Sequence, residues 1–534
     1  MPYAGGRRVP VQQEQQRQMQ HAPFVAPTGG WVTSVNLAAA TLGTAKICEN
    51  WFPTTTGLRL RAGSQVFATT GTTPLESAMA YIGGTTRQMF AANAGNIYNV
   101  TTPATPTTIP TPVVTGQTSN YYSYANFSTV GGNFLTLVNG SDSLQLYDGT
   151  VWKDIDGSST PAITGVDTAL FSHVNVYRNR QWFVAKDTLN VYYLPVDSIA
   201  GAVGVLTLAG VFKRGGSVLF TATWSMDAGD GLDDKFVVVS TEGEVAVFQG
   251  SNPSDIADWS LVGRYDASPP LGKNAYTQVG GDLLLLTEIG IVPMSAIQAK
   301  DPSALAIAAV SRNIQPDWIA DAQERRTLPW EVVKWTSRNI AFISCPTTDQ
   351  NKRWCYAVNL ETNAWAKYTG WDTRCLVLHE DAVYFGTSSG TLVQAEITGN
   401  DLGLPIYHTY VGHAEHLGAV GRYKTVMLAR ARFRVTYPIA PQISISVNYG
   451  NQIPAPPNVP ASTTAADVWD GALWDTAKWD NGTDFSTQTT GWVSIGKSGD
   501  SHSVQVQVTS GQNATPMAEL ILVEVGYEPG GFVV

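Results

Sequence analysis

The chain has 534 residues, of which only 14% are charged, and its formal net charge is −10. This length is too great for one hydrophobic core and predicts two or three domains. No lysine- or arginine-rich run occurs, which argues against a protein that grips nucleic acid through a basic patch. An acidic wall would let DNA slide past without being held, although solubility explains the same charge equally well.

The composition favours strands over helices. The chain contains 50 glycines and 29 prolines, and threonine, serine, valine and aromatic residues are plentiful. Many turn formers and β-branched residues with few charges are typical of an all-β protein with short strands. The N-terminus lacks the apolar core of a signal peptide, and no stretch reaches the length of a membrane span. We therefore expect a protein that is neither exported by the usual route nor inserted in a bilayer.

Cysteine spacing gives no sign of a metal or redox motif, because no two cysteines form a C-x-x-C pair. Two of the four flank a possible hairpin and could lie close together. We expect all of them to be free buried thiols, made in a reducing cytoplasm. They are Cys48, Cys345, Cys355 and Cys375.

Residues 1–27 form a polar arm that is rich in glutamine. A short helix is conceivable there, but it would have almost no apolar face, so we expect an unstructured tail. Ordering against a partner is the alternative. Residues 28–63 follow as a turn, a few extended residues and a first strand, with Trp31, Trp51 and Phe52 buried.

A loose repeat of hairpins runs from about residue 64 to 400. The clearest copy spans residues 132–155 and contains strand, polar turn, strand, turn and an aromatic strand. Hairpins return about every 45 to 55 residues, which matches one four-stranded propeller blade. We predict a β-propeller over residues 28–400 with about six blades, seven being possible. A set of stacked β-sandwiches is the alternative.

Two other regions differ from the hairpin repeat. Residues near 301–326 have a helical pattern and predict one or two short helices inserted in a blade, either as a contact element or as an inert decoration. Residues 401–534 predict a C-terminal β-sandwich, with strands near 424–435, 442–449, 491–495, 503–508 and 519–525.

Motifs at both ends of the sequence resemble one protein family. The N-terminal set is Gly29, Gly30 and Trp31, then Asn50, Trp51, Phe52 and Pro53, then Arg61 and Gly63. The C-terminal set is Gly403 to Ile406, Gly421 to Lys424, Asn448 to Gly450, repeated Trp-Asp pairs, and Tyr527, Glu528, Pro529, Gly530 and Gly531. Together they resemble the tail nozzle, or hub, proteins of short-tailed double-stranded-DNA bacteriophages, which are also called head-completion or packaged-DNA-stabilisation proteins.

This resemblance implies a structural virion protein without enzymatic activity or cofactor. Six copies would form a tapering tube below the portal and adaptor rings, retain packaged DNA and later let it pass. The resemblance also implies a surface for tail fibres, contact with DNA without sequence recognition, and a place in the virion tail after synthesis in the host cytoplasm. The alternative function is a carbohydrate-binding or glycan-cleaving propeller protein.

Three histidines, His408, His413 and His416, lie within nine residues. Their gaps of five and three residues fit neither the helical nor the strand spacing of zinc ligands. We expect surface histidines in a loop, with a zinc site as the alternative. Asp227, Asp230, Asp233 and Asp234 form an acidic, glycine-containing loop. Calcium is one possible ligand of this loop, but its spacing fails the EF-hand rule, so a solvated turn is preferred.

Asp148, Gly149, Thr150, Val151 and Trp152 resemble the Asp-box of sialidase propellers. A sialidase also needs a group of three arginines and a nucleophilic tyrosine, and the box occurs only once here. The arginines that would have to converge are Arg178, Arg180, Arg264 and Arg338.

Trp-Asp pairs begin at Trp469, Trp474 and Trp479. A five-residue period suits neither helix nor strand, so we interpret the pairs as repeated tight turns. A sugar or fibre contact through the tryptophan faces is the alternative.

Overall fold

The computed structural model describes residues 18–36, 41–225, 234–255, 257–418, 420–436, 438–459, 485–511 and 517–532. Strands hold 51% of the residues and helices 8%, which confirms the all-β class. Most of the predicted arm lies outside the described residues. The end of the arm that is described contributes the first strand.

Five strands precede the first blade of the propeller. They are β1 Gln20–Val25, β2 Ala45–Glu49, β3 Trp51–Pro53, β4 Leu58–Leu60 and β5 Gly63–Thr69. The first four pair with strands of the C-terminal region, and only β5 joins the propeller. The propeller sheets therefore begin at Gly63 rather than at residue 28, because the N-terminal motif packs into the sandwich.

Four antiparallel sheets of four strands follow in chain order and form blades one to four. Blade one contains β6 Ser77–Gly83, β7 Thr86–Asn93, β8 Asn96–Asn99 and β9 Pro112–Val114. Blade two contains β10 Ser123–Thr129, β11 Gly132–Val138, β12 Leu144–Tyr147 and β13 Trp152–Ile155. These two sheets contain hairpins that the sequence repeat predicted.

Blade three has two additional short strands beside it, which pair in parallel with each other. In chain order the strands are β14 Ile163–Thr164, β15 Phe171–Tyr177, β16 Arg180–Ala185, β17 Asn190–Tyr193, β18 Gly201–Ala202 and β19 Gly204–Thr207, with a 3-10 turn at Thr168–Leu170. Blade four contains β20 Val218–Trp224, β21 Lys235–Ser240, β22 Glu244–Gln249 and β23 Ser260–Asp266.

Blade five has three strands, followed by helices. Its strands are β24 Tyr276–Val279, β25 Asp282–Thr287 and β26 Gly290–Pro293. The helices are α1 Met294–Ala299, α2 Leu305–Ala308 and α3 Gln315–Glu324, with 3-10 turns at Pro302–Ala304 and Val310–Ile314. The helical insertion predicted near 301–326 is thus confirmed. Trp318 of α3 is fully buried and donates its indole N–H to the Thr287 carbonyl at 2.9 Å, which anchors α3 on blade five.

A meander between blade five and the last blade belongs to both domains. Its strands are β27 Val332–Trp335, β28 Ile340–Cys345, β29 Trp354–Asn359 and β30 Trp365–Thr369, with 3-10 turns at Thr336–Arg338 and Gln350–Lys352. Strand β27 contacts the innermost strand of blade five, as blade neighbours do elsewhere in the ring. The outermost strand, β30, pairs in parallel with β2 and so continues the sheet outward.

The sixth blade closes the ring. Its chain-consecutive strands are β31 Cys375–His379, β32 Ala382–Gly386 and β33 Thr391–Thr398, and its fourth strand is β5. Strand β5 lies antiparallel to β33, with Thr69 opposite Thr391 and Gln65 opposite Gln394. The innermost strands β31 and β6 are in contact, as are β6 and β10. Six separate sheets thus confirm the predicted propeller of about six blades, and the meander β27 to β30 fills the remaining sector.

Neighbouring blades are held together mainly by apolar and aromatic packing. Between blades three and four, the Trp182 ring lies 4.2 Å from that of Phe236 and 5.4 Å from that of Trp259. Trp182 and Phe236 are completely buried. Aromatic side chains of this size bury a large area and add a pairwise attraction, so each blade is stabilised by the next.

The C-terminal region is a sandwich of two sheets. Its strands are β34 Ile406–Gly412, β35 Arg422–Val435, β36 Gln442–Val447, β37 Ser486–Thr489, β38 Val493–Gly499, β39 His502–Ser510 and β40 Ala518–Phe532. One sheet runs from β27 to β30 and on through β2, β34, β39 and β36. The other has β40 and β35 at its centre and includes β1, β3 and β4. Buried Ala429, Ala431 and Phe433 of β35 belong to the same core as Val504 and Val506 of β39.

The start of β5 leaves no room for a side chain. A Cβ atom at Gly63 would lie 1.9 Å from the carbonyl oxygen of Asn400. We expect Gly63→Ala to lower the free energy of unfolding by at least about 2 kcal/mol, because the closing strand must shift. Gly210→Ala, where a Cβ meets no atom within 4 Å, should change stability by no more than about 0.5 kcal/mol. Urea unfolding followed by tryptophan fluorescence measures both, and equal midpoints would contradict the expected strain at Gly63.

Candidate functional site

Two chain crossings connect the propeller to the sandwich, and Arg61 lies between them. One crossing leads from β4 to β5, and the other leads from β33 through Asp401 to β34. The Arg61 side chain is fully buried. Its guanidinium lies 5.2 Å from the Tyr368 ring centre and 5.1 Å from that of Trp371. We call Asn50, Arg61, Thr369 and Asp401 the junction cluster.

The guanidinium of Arg61 uses all three of its nitrogens within the junction cluster. Nε donates to Asn50 Oδ1 at 2.8 Å, and Nη2 donates to the Thr369 carbonyl at 3.0 Å. Nη1 and Nη2 also bind the two carboxylate oxygens of Asp401 at 3.1 and 2.5 Å. Such a bidentate pair fixes orientation as well as distance. The cluster therefore fixes how the propeller and the sandwich meet.

Asn50 connects the junction cluster to a third strand. It adopts a positive φ of 62°, which asparagine tolerates better than most residues, and its Nδ2 donates to the Tyr407 carbonyl at 2.8 Å. The ring of Trp51 lies edge-on to His408 at 5.9 Å. Residues 50, 51 and 61 of the N-terminal motif thus have one shared structural role, which is to hold the two crossings together.

A second polar group, which we call the axial cluster, lies just before the innermost strands of several blades. It consists of Lys273, Asn274 and Glu331. Lys273 Nζ donates to the carbonyls of Tyr121 and Ser172, both at 2.9 Å. Glu331 accepts from Asn274 Nδ2 at 3.1 Å and from the Leu376 amide at 3.0 Å. These bonds connect blades two, three, five and six with the meander.

Burial controls the ionisation of the axial cluster. It lowers the pKa of Lys273 to about 7, against the attraction of Glu331. It raises the pKa of Glu331 to about 7, against the hydrogen bonds from Asn274 and Leu376 and the charge of Lys273. Nearby, burial lowers the pKa of His173 to about 3, so its ring is neutral at ordinary pH. Because Nδ1 accepts from the Thr221 amide, Nε2 carries the proton and donates to the Tyr276 hydroxyl oxygen at 3.2 Å.

Sequence reasoning missed the axial cluster. Lys273 and Glu331 are isolated charged residues in weakly polar surroundings, each shortly before an innermost blade strand. That position, at the start of the strand nearest the axis, is the signal that could have identified them. Hydrogen-bonded buried charges at such a position link blades that are distant in sequence.

The three neighbouring histidines have separate partners. His408 is buried between the carbonyls of Val508 and Arg61, and burial lowers its pKa to about 4. Burial also lowers the pKa of His413. His416 lies 3.3 Å from Asp500 and 3.0 Å from the Tyr449 hydroxyl. His408 and His413 are thus core residues, contrary to the expectation of surface histidines, because β34 carries them into the sandwich core.

No group of three or more His, Cys, Asp or Glu side chains suited to a metal ion occurs in the described part of the chain. Asp227, Asp230 and Asp233, like the three Trp-Asp pairs, lie outside the described residues. All four cysteines are buried and free, as predicted. None of the helices that the structure describes has the length and apolar character needed to traverse a bilayer.

The Asp-box residues form a local turn. Asp148 Oδ1 accepts hydrogen bonds from the Thr150 and Val151 amides at 3.0 and 2.8 Å. The four candidate arginines do not converge. Arg178 and Arg180 line one cleft, Arg264 pairs with Glu244 and Asp266, and Arg338 lines a different cavity.

No protein-family model matches the chain, and the search of curated proteins found no match. Among solved structures, the chain is similar to the computationally designed Ika8 protein at 11% identity, covering 60% of this chain and 83% of that one, with a TM-score of 0.35. It is similar to YCF48 bound to D1 peptide at 10% identity, covering 62% and 94%, with a TM-score of 0.34. It is also similar to BBS1N in complex with ARL6DN at 8% identity, covering 60% and 77%, with a TM-score of 0.28.

Removing Arg61 should be costly, because Asp401 and Asn50 would keep buried polar atoms without their donor. We expect Arg61→Met to lower the free energy of unfolding by about 3–5 kcal/mol. Lys352→Ala, which breaks an exposed pair with Glu324, should cost no more than about 1 kcal/mol. Adding Asp401→Asn to Arg61→Met should cost less than the sum of the single changes, since the two groups interact. Additive losses in urea unfolding would contradict the coupling.

The raised pKa of Glu331 predicts a specific pH dependence. Between the ordinary carboxyl value of 4.5 and about 7, the folded protein retains a proton that the unfolded chain has lost. Stability contributed by this group therefore falls as pH rises through that window. We expect Glu331→Gln to make the urea midpoint fall less steeply from pH 4.5 to 7 than in the wild type. Glu242→Gln, at an exposed position, should keep the wild-type slope. Equal slopes for all three proteins would refute the assignment.

Proposed function

We propose that this protein is a structural subunit of the tail of a short-tailed double-stranded-DNA bacteriophage, a nozzle or hub protein. Six copies form a tube below the portal and adaptor rings. The tube retains packaged DNA and later serves as the conduit for its ejection, and its outer surface receives the fibres. The protein has no enzymatic role in this proposal, and it is assembled from subunits made in the host cytoplasm.

The observation that carries this proposal is that the two sets of family-like motifs, at opposite ends of the sequence, occupy connected positions. The N-terminal set provides Asn50 and Arg61 of the junction cluster, next to the Gly403 turn of the C-terminal set. Motifs that meet in space are expected to be kept together for one structural purpose. A chance match of two unrelated segments has no reason to do so.

The C-terminal motifs also meet one another, around Asp500. The Gly421 amide donates to Asp500 Oδ1 at 3.0 Å, and Lys424 Nζ lies 3.4 Å from the Asp500 carbonyl oxygen. Asn448 Oδ1 accepts from the Asp500 amide at 2.9 Å. Three motif segments therefore order one end of the sandwich, which supports a role for this end as a fixed contact surface.

Charge and architecture agree with a conduit. A net charge of −10 disfavours tight binding of the DNA backbone, so that DNA is free to move along the wall. The chain has two dissimilar domains, which suits a head-to-tail contact between copies, and such contacts close into rings.

Electron microscopy and sedimentation of the purified chain test the proposal. We expect six-fold rings with a central opening and a sedimentation coefficient that matches six subunits. A matched assay with fluorogenic glycosides should give no turnover above buffer. A population that remains monomeric at high concentration and cleaves a glycoside would overturn the proposal in favour of the glycan-cleaving alternative.

A further inference from the structure

A cleft of about 770 Å³ lies where the turns of blades three and four come together. The hairpin turn between β15 and β16 forms one wall, and the segment after β22 forms the other. The polar side chains that line the cleft are Tyr177, Arg178, Asn179, Arg180, Ser251 and Asn252.

The hairpin turn is built from residues that turn geometry alone would not select. Arg178 and Asn179 both have positive φ, at 51° and 52°. The corresponding turns of blades one and five place Gly84 and Gly280 in the same backbone region. Glycine and asparagine adopt this conformation readily, whereas arginine does so at a cost of about 1 kcal/mol. The arginine therefore serves a purpose other than forming the turn.

Arg180 has hydrogen-bonding capacity left over. Its guanidinium lies 5.8 Å from the Tyr193 ring centre, and Nη1 donates to the Leu194 carbonyl at a long 3.4 Å. Its Nε is buried and has no hydrogen-bond partner among the described residues. Arg178 lies over the adjacent Tyr177 ring at 5.7 Å. Two guanidinium groups held on neighbouring aromatic rings form a preorganised site for an anionic group.

The opposite wall is rigid and leaves little negative charge facing the arginines. Asp258 accepts from the Ser251 amide at 2.8 Å, the Ser251 hydroxyl at 2.7 Å and the Asn252 amide at 2.6 Å, so its carboxylate is already used to order this wall. Asp234 is the single acidic residue that lines the cleft within the described chain. The described lining thus carries two positive charges against one negative charge.

We propose that this cleft binds an acidic saccharide. Arg178 and Arg180 hold its carboxylate or phosphate group, and the amide side chains of Asn179 and Asn252 bind its hydroxyl groups. The volume exceeds that of a simple anion, and the lining is too polar for an apolar ligand. A single-stranded nucleic acid fits less well, because its bases need exposed aromatic rings to stack on. This inference does not depend on the proposed tail function.

Titration calorimetry at low salt tests the site with trigalacturonate, 3′-sialyllactose and glucose 6-phosphate as probes. We expect at least one of them to bind, with affinity falling as salt rises. The test variant is Arg178→Asn combined with Arg180→Met. Asparagine suits the positive φ of the turn, and methionine retains apolar contact with Tyr193. We expect this variant to bind at least about tenfold more weakly. Arg87→Met, at an exposed position in blade one, is the matched control and should bind like the wild type.

Three results would overturn the proposal. One is that none of the three probes binds. Another is that the double variant and the wild type bind equally. The third is that inorganic phosphate binds as tightly as the best sugar, which would make the cleft an anion site without saccharide recognition. Thermal unfolding of the double variant checks that its fold is intact. Ring formation by electron microscopy is read separately, so a failure here leaves the tail proposal unaffected.

Discussion

Closure of the ring by β5 on β33 is the constraint on which the rest of the structure depends. Every blade exposes apolar faces that only its neighbours cover, so an open ring would leave two of them in water. The strand that closes the ring comes from the start of the chain and pairs with the last propeller strand. The ends of both strands lead directly into the sandwich, and Arg61 and Asp401 pair at that point. Propeller and sandwich therefore complete one another.

The two polar clusters solve one physical problem in different ways. A buried guanidinium is tolerable only when its donors are satisfied, and the junction cluster does this with carboxylate, amide and carbonyl oxygens around Arg61. The axial cluster instead keeps Lys273 and Glu331 near the balance between charged and neutral forms, because burial penalises both charges. The first arrangement fixes a geometry at any ordinary pH. The second makes the centre of the ring sensitive to protons.

Local patterns were enough to predict the blades, since each hairpin has its own turn residues and alternating apolar positions. Residues 132–155 and the helices near 301–326 were predicted for that reason. The destination of β1 to β4 was not, because a strand does not reveal in its own sequence which distant strand it pairs with. The same limit applies to Lys273 and Glu331, whose partners lie in other blades. Arg61 was noticed only as a motif residue, and its pairing with Asp401 depends on the closed ring.

The location of these clusters bears on where a passage for DNA would lie. Lys273, Asn274 and Glu331 connect blades on different sides of the propeller axis, and His173 reaches Tyr276 across the same region. A propeller whose centre is crossed by hydrogen bonds is a solid wall segment. A conduit built from this chain must therefore run between copies, bounded by the outer faces of propeller and sandwich. The rigid coupling at Arg61 then matters for function, because the angle between the two domains sets the taper of the tube.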